Sequence, residues 1–450
     1  MQGETSNNFF NSRSPSNAKN ETEFEAAVFT TRKWDASEAG AEIGKKIKNM
    51  KNTPKLVLLF STIHYENHGG FQNFLDAIRK EVSRETQIVG GTVAGFMNND
   101  GCFTRGATAL AIYSNEMDLV TGFGRNTKRN PKKAARELNK MLSAIKQSTF
   151  ENKLIFENMS NGEMPILPFL GQRKIILYPF NSILMTLISK LFGIFQYGVG
   201  REDEILENIS REFKDFKIIA VANFDDFKAR RSYQFYNNSV FRNAVVGAAI
   251  ATNSKIEMNT SFGLVPTSIR FKINNKNFYN CAFRLIDSKP ATYEFLKKLN
   301  WSKEYLNEQL YSKCIYYPIA EEFGPNQKIV QAHCLGLVMG DYLCFTYQFK
   351  GDSLRLYTTS GKRLIEAAKE NIAHVKSNNT KIKAVFGVEC AIRLNMLASG
   401  VYKVWNEMSK SLGKIPFLIV YGAGEGRYTP GEQPQYFNYA FNTITFSDQK

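Results

Sequence analysis

Short apolar runs alternate with amphipathic stretches along most of the 450-residue chain. Leu56-Val57-Leu58-Leu59-Phe60 follows Pro54 and reads as a buried strand. From Gly70 to about Arg84, Phe71, Phe74, Leu75, Ile78 and Val82 recur at helical spacing, which predicts a helix with one apolar face. A strand over Gln87 to Val89 comes next, then a turn from Gly90 to Phe96 and a β-rich stretch through Ala107 to Tyr113. Pro131 suits a first helical turn and opens a helix to Ile145, with Ala134, Leu138, Leu142 and Ile145 on one face.

The same order recurs. Lys153 to Phe156 predicts a strand, Glu202 to Phe213 a helix, Ile218 to Ala222 a strand and Asn243 to Thr252 a further β segment. An insertion at about 160–200 separates the first two of these. Beyond Thr260 the pattern predicts a hairpin over Ile269 to Phe278 around Asn274-Asn275, and a helix opened by Pro290. Another helix is expected from Ser302, then three β runs between Lys328 and Thr358 and a helix from Gly361 to about Lys376. A strand at Lys383 to Gly387 precedes one long helix to Leu412, and final strands follow at Phe417 to Tyr421 and Ala440 to Phe446. The expected fold class is α/β (mixed α+β). Duplicated β-α-β units with mixed sheets form residues 26–265, and an α/β module forms 266–450, after a flexible tail at 1–25. Two related halves packed about a seam make a cleft.

Composition changes this picture little. A hydrophobic fraction of 43% excludes disorder throughout. The formal charge of +16 favours anionic partners in general, and much of it lies between Thr121 and Phe150. No aromatic residues interleave with that run, so it reads as a solvated helix back, and no specific nucleic-acid partner is expected. Six scattered cysteines without a CxxC pair suit reduced thiols, and Gln2 to Asn20 lacks an apolar signal core, so a cytoplasmic location is expected. Residues 175–197 carry one charge, Lys190, but the apolar positions from Ile183 to Phe195 share one helical face. Packing on the protein's own body, or peripheral membrane contact through 182–196, fits that face better than a span.

Candidate chemistry is sparse. Gly422-Ala423-Gly424-Glu425-Gly426 follows an apolar strand but is succeeded by Arg427 to Gly431, which cannot open a phosphate-binding helix; it reads as a flexible turn that places Glu425 at a strand end. Cys390, at a strand-to-helix junction, has a nucleophile's address, although none of the four histidines is paired with it by a motif. His64 and His68 match no metal motif; no metal and no cofactor are expected.

Val89-Gly90-Gly91-Thr92-Val93-Ala94-Gly95-Phe96 resembles the V-G-x-T-T-A-G-E signature of the FIST (F-box and intracellular signal transduction) family. Ile219 to Asp226 is similar to its G-G-x-A-x-D-D stretch, with alanines at the glycines, and Phe262 to Pro266 to its H-G-W-x-P element, without the histidine and tryptophan. Phe386 to Arg393 resembles F-S-C-x-x-R, and Tyr421 to Gly426 resembles its closing glycine-glutamate motif, followed by an Asn-rich strand at Asn438 and Asn442. These motifs cover roughly 35–447, with FIST N- and C-terminal modules. The resemblance implies a sensory protein that binds a small ligand such as an amino acid and signals in trans to a partner such as a kinase or chemotaxis-type component. It implies ligand contacts at Gly91, Thr92, Asp225, Asp226, Gly263, Cys390, Arg393 and Glu425. Arg393 and Glu425 together would suit a zwitterion. The competing readings are a Cys390-dependent enzyme and a scaffold on anionic surfaces.

Overall fold

The computed structural model describes residues 23–163, 173–177, 201–277, 279–323, 329–378 and 381–449. Its core repeats one unit three times. The first unit runs β1 (Phe24–Thr31), α1 (Ala36–Lys48), β2 (Leu56–Ser61), α2 (Phe71–Glu81) and β3 (Gln87–Thr92). A hairpin, β4 (Gly95–Asn98) and β5 (Gly101–Phe103), and a return strand, β6 (Ala107–Ser114), complete it. The second unit has β7 (Met117–Arg125), α3 (Pro131–Leu142), β8 (Asn152–Ser160), the inserted β9 (Ile175–Ile176), α4 (Glu202–Glu212) and β10 (Lys217–Asn223). Its hairpin is β11 (Gln234–Tyr236) with β12 (Ser239–Phe241), and its return strand is β13 (Ala244–Thr252).

The third unit opens with β14 (Lys255–Ser261) and is interrupted by an accessory module. That module comprises β15 (Val265–Asn277), β16 (Ala282–Ile286), β17 (Lys289–Pro290), α5 (Ala291–Lys298), α6 (Glu308–Cys314), β18 (Ile319–Phe323), β19 (Ile329–His333), β20 (Leu335–Met339), β21 (Tyr342–Phe345) and β22 (Ser353–Thr358). The unit resumes with α7 (Gly361–Asn378), β23 (Ile382–Cys390), α8 (Ala391–Leu397), α9 (Val401–Leu412) and β24 (Phe417–Gly422). The hairpin β25 (Glu425–Tyr428) with β26 (Gln435–Phe437), then β27 (Phe441–Ser447), close the chain. β9, from the second unit's insertion, joins the accessory sheet beside β20, so two insertions far apart in sequence build one module.

Each unit supplies two parallel strands flanked by its own return and edge strands, but the hairpin on the far side comes from another unit. The three core sheets read β1-β6-β2-β3-β11-β12, β7-β13-β8-β10-β25-β26 and β14-β27-β23-β24-β4-β5. The register is equivalent: Gly91 faces Gln234, Val221 faces Glu425 and Val420 faces Phe96. The exchange is therefore cyclic. Inner faces of all three sheets meet in one core, where Leu58, Phe60, Phe96, Phe156, Val221, Phe386 and Val420 pack. Helices cover the outer faces, started by local signals: Asp35 accepts from the Ser37 and Glu38 amides to cap α1, and Asn130 caps α3 with Pro131 behind it.

Mixed α and β structure with mixed sheets agrees with the sequence reading, and the repeat extends to a third copy. Several local expectations change. Gly90 to Thr92 belong to β3 and Gly95 onward to β4, so the expected turn is confined to Val93-Ala94. No hairpin forms at Asn274-Asn275; β15 runs through as one strand in unbroken register with β16, Asn275 taking a left-handed φ of 58 that asparagine tolerates, and the chain turns at Tyr279-Asn280. Only a 3-10 turn follows Ser302 before α6. The long helix to Leu412 is broken at Ala398 (φ 46) into α8 and α9. The boundary expected at 265/266 falls inside the accessory module's first strand, because the third unit has already begun at Lys255. The apolar positions from Ile183 to Phe195 lie outside the described residues, and among the described residues no helix is long and apolar enough to cross a membrane.

Because every core sheet holds strands of two units, the three should unfold together. Phe96→Ala, in a hairpin that the first unit contributes to the third unit's sheet, is expected to cost about 3–5 kcal/mol. Urea unfolding followed by tryptophan fluorescence and far-UV circular dichroism should give coincident single transitions in both proteins. A separate early transition confined to one probe would contradict interlocked units.

Candidate functional site

The carboxyl ends of the parallel strands converge where the units meet, and backbone hydrogen bonds tie them there. The Phe224 amide donates to the Thr92 carbonyl at 2.8 Å, the Ala94 amide to Tyr421 at 3.0 Å and the Ala423 amide to Ala222 at 2.9 Å. One bond of each pair of units closes a ring. Open α/β sheets bind ligands at this end of their strands.

A buried polar cluster lies on the seam between the second and third units. The Cys390 thiol faces the Glu425 carboxyl, whose Oε2 accepts from the Ala440 amide at 3.3 Å while Oε1 is buried without a partner. Asn438 organises the surroundings: its Nδ2 donates to the Ala423 carbonyl at 2.9 Å and lies 3.9 Å from Cys390 Sγ, and its Oδ1 accepts from Thr346 Oγ1 at 2.6 Å and the Cys334 amide at 3.1 Å. Tyr347 and Tyr436 meet edge to face with centroids 4.7 Å apart, and Tyr436 stands among Glu425, Glu202 and Glu157. Neither carboxyl oxygen of Glu157 has a partner.

Burial decides the protonation here. It pushes Glu157 and Glu425 well above the ordinary carboxyl range, and Glu202 up to about 8. Cys390 is driven the same way, first by burial and then by Glu425, so it is a thiol and not a thiolate.

The residues implied by resemblance separate into groups. Cys390 and Glu425 sit in the cluster. Glu425 is not on a flexible turn; it begins β25 and pairs with Val221. Arg393 is buried nearby but fully engaged: Nε donates to Glu389 at 2.6 Å, and its other nitrogens to the carbonyls of Phe262 (2.9 Å), Leu364 (3.1 Å) and Tyr439 (3.3 Å). It pairs with Glu389 and not with Glu425, so no free guanidinium is left for a ligand carboxylate. Thr92 is buried at the seam of the first and second units, its hydroxyl accepting from the Tyr233 amide at 3.0 Å. Gly91 lies against Asn223, where a Cβ would come within 2.5 Å of Nδ2. Asp225 gathers the Ala229, Arg230 and Arg231 amides, which shapes its own loop, and Asp226 pairs with Lys228 in solvent. Gly263 (φ 72) packs where a Cβ would stand 2.8 Å from the Arg363 carbonyl. Sequence reasoning did not single out Asn438 as a contact, nor Tyr347, Tyr436, Glu157 and Glu202. Glu157, one charge inside the apolar run Leu154 to Met159, was the readable signal.

Among the described residues, no group of three His, Cys, Asp or Glu side chains is set to hold a metal ion. A surface cleft of about 500 Å³ lies away from this cluster, on the accessory module between Lys289 and Lys303.

The buried carboxyls give a pH dependence of fixed sign. Folded Glu202 titrates near 8, above the 4.5 of an ordinary carboxyl, so between these values the folded chain holds a proton that the unfolded chain releases. Stability should fall as pH rises from about 4.5 to about 8 and level off above. Glu202→Gln should flatten that fall, read as the urea midpoint from pH 5 to 8.5. An unchanged slope in the variant would contradict a neutral Glu202.

No curated protein matches the chain. Among solved structures, the crystal structure of a cyanuric acid hydrolase from A. caulinodans is 6% identical, covering 95% of this chain and 100% of that one with a TM-score of 0.36. A second cyanuric acid hydrolase is 8% identical, covering 94% and 100% with a TM-score of 0.33. At these scores neither likeness carries an argument about fold or activity. The family model for the FIST N domain matches residues 55–276, from the start of β2 into β15. Over residues 55–276 the chain belongs to the FIST family, as its N domain.

Proposed function

We propose that the protein is an intracellular sensor that binds a small amine-bearing metabolite at the seam of its second and third units and signals to a separate partner. FIST is a sensory domain family of signal transduction, and the finer reading rests on one observation. Glu425 offers a buried carboxyl oxygen without a protein partner, beside Cys390 and Asn438, where the strand ends of two units meet. A ligand that bridges those ends contacts both units, so its binding energy is available to shift one against the other.

The chemistry of the lining supports an amino or amide nitrogen at Glu425. An amino acid would also need a cation for its carboxylate, and Arg393 is engaged. Lys174 supplies one: its ammonium lies 3.5 Å from the Tyr311 ring centre, close to Cys334 on the far side of Asn438. Burial strips part of its hydration and so lowers its pKa from the usual value, and an anionic partner would offset that loss by favouring the charged ammonium. The protonated, enclosed Cys390 thiol gives no support to a nucleophilic reaction, so the reading is binding without turnover. The exposed basic back of α3 gives the anionic-surface alternative no specific contact to argue from, and the segment 182–196 lies outside the described residues.

A thermal-shift panel should compare free amino acids with their N-acetyl and amide forms. At about 100 times its Kd, a ligand selective for the folded chain adds about 2.7 kcal/mol of stability. A free amine should be required for the shift, and Glu425→Gln should reduce it at least about tenfold in apparent affinity. Equal shifts from N-acetylated forms, or none from any amine, would sink this reading.

A further inference from the structure

The three units repeat one corner, formed by the exit of the edge strand, the end of the first parallel strand and the turn before the return strand. The registers make the positions equivalent. Ser61, Met159 and Glu389 pair with Thr92, Ala222 and Tyr421 on one side and with Ala107, Val245 and Phe441 on the other. One residue on, Thr62, Ser160 and Cys390 correspond; two residues before the return-strand partners, so do Arg105, Asn243 and Tyr439.

Two of the corners are closed by their own side chains. In the second, Ser160 and Thr127 hydroxyls meet at 2.6 Å, Thr127 also donates to Asn243 Oδ1 at 2.9 Å, and Lys128 is buried against Glu163 at 2.9 Å. In the third, Arg393 fills the space and binds the Tyr439 and Phe262 carbonyls.

The first corner is different. Thr62 Oγ1 bonds His64 Nδ1 at 2.8 Å, but the cations around it are uncommitted. Among the described residues neither Arg32 nor Arg105 makes a hydrogen bond or an ion pair; each only stacks, Arg32 over Phe103 and Arg105 over Trp34 with its Cζ 4.3 Å from the ring centre. Trp34 is 52% exposed, and His68 meets its edge at 4.7 Å. Neighbouring carboxylates are all engaged elsewhere: Asp35 caps α1, Glu38 pairs with Lys33, Glu42 with Lys46 and Glu66 with Arg231. Stacking on Trp34 holds the guanidinium plane while leaving its fork of N–H donors free, which is the arrangement that grips planar oxyanions with little loss of side-chain freedom.

We propose that this corner is an oxyanion-binding site, in which Arg105 grips a carboxylate or phosphate group. Burial, Arg105 and His68 together hold His64 down at about 4, so the field at the corner is positive and a bound anion opposes it. The site uses none of the residues of the seam cluster and stands independently of the amine-binding reading.

Trp34 is the reporter. The full chain is titrated with inorganic phosphate and, separately, with succinate, each against sodium chloride at equal ionic strength, and tryptophan emission is read. A saturating change with either probe above chloride is expected, and which probe acts distinguishes phosphate from carboxylate. Arg105→Gln should raise the midpoint at least about tenfold, with Arg105→Lys in between because it keeps the charge and loses the fork. Trp34→Phe should remove the emission change, and Glu425→Gln should leave it intact. The proposal is overturned if neither probe saturates above chloride, if Arg105→Gln keeps the wild-type midpoint, or if the change survives Trp34→Phe.

Discussion

The exchange of hairpins between units is the constraint on which the rest of the structure depends. A unit by itself would leave the outer side of β3, β10 or β24 as an open strand edge, and an open edge exposes unpaired backbone groups. Each edge is covered by a hairpin from a different unit, and the donations close into a cycle. To leave its neighbour's sheet a hairpin must cross at the carboxyl ends of the parallel strands, so Ala94, Phe224 and Ala423 are drawn to one place and bonded there. The seam follows from the same topology that seals the edges.

Polar groups brought into such a seam are enclosed by three sheets' worth of side chains, and the low dielectric sorts them into two kinds. Arg393 is satisfied by one carboxylate and three carbonyls; an uncompensated buried charge would cost several kcal/mol, so its partners hold it as a structural clamp between α7, β23 and the turn at Tyr439. Glu157, Glu202 and Glu425 lack such compensation and are held as neutral acids. A neutral carboxyl with a free oxygen is a poor contributor to stability and a good recogniser, since a ligand that completes its hydrogen bonds removes a cost already present in the fold.

The elements were legible wherever apolar spacing decides them. β2, α2, β8 and β10 follow from residues such as Phe71, Phe74 and Ile78, whose spacing has one solution. What failed was pairing. Gly90 to Thr92 look like turn residues in isolation and become strand only because β11 arrives from another unit to bond them. The same applies to Glu425, a glycine-flanked loop residue by composition and a strand residue by its pairing with Val221. The third repeat was hidden because the accessory module separates β14 from α7, so its first strand and first helix no longer adjoin in sequence. Within the site, Cys390 and Glu425 could be marked from strand ends, whereas Tyr347 comes from the accessory module and its approach to Tyr436 is set by tertiary contact alone.

Triplication also explains why chemistry is unevenly distributed. A repeated corner begins with the same backbone in all three copies, and side chains then decide whether it is filled or open. Arg393 fills one with a charge it must satisfy internally, and Lys128 with Glu163 fills another. Each filling bonds groups of one unit to one another and closes that unit's corner from within. The first corner has no such pair: its cations lie over the rings of Phe103 and Trp34, where the contact keeps them ordered and solvent keeps them accessible. Two corners are thus closed by their own side chains and one is left open. The outward corner lies at the end of β2, whose neighbour β3 carries Thr92 at the seam of units one and two, while the cluster of Cys390 and Glu425 lies at the next seam, between units two and three. The ring of backbone hydrogen bonds through Phe224, Ala94 and Ala423, and not a shared strand, joins those two places, and it is the physical connection through which occupancy of one would have to act on the other.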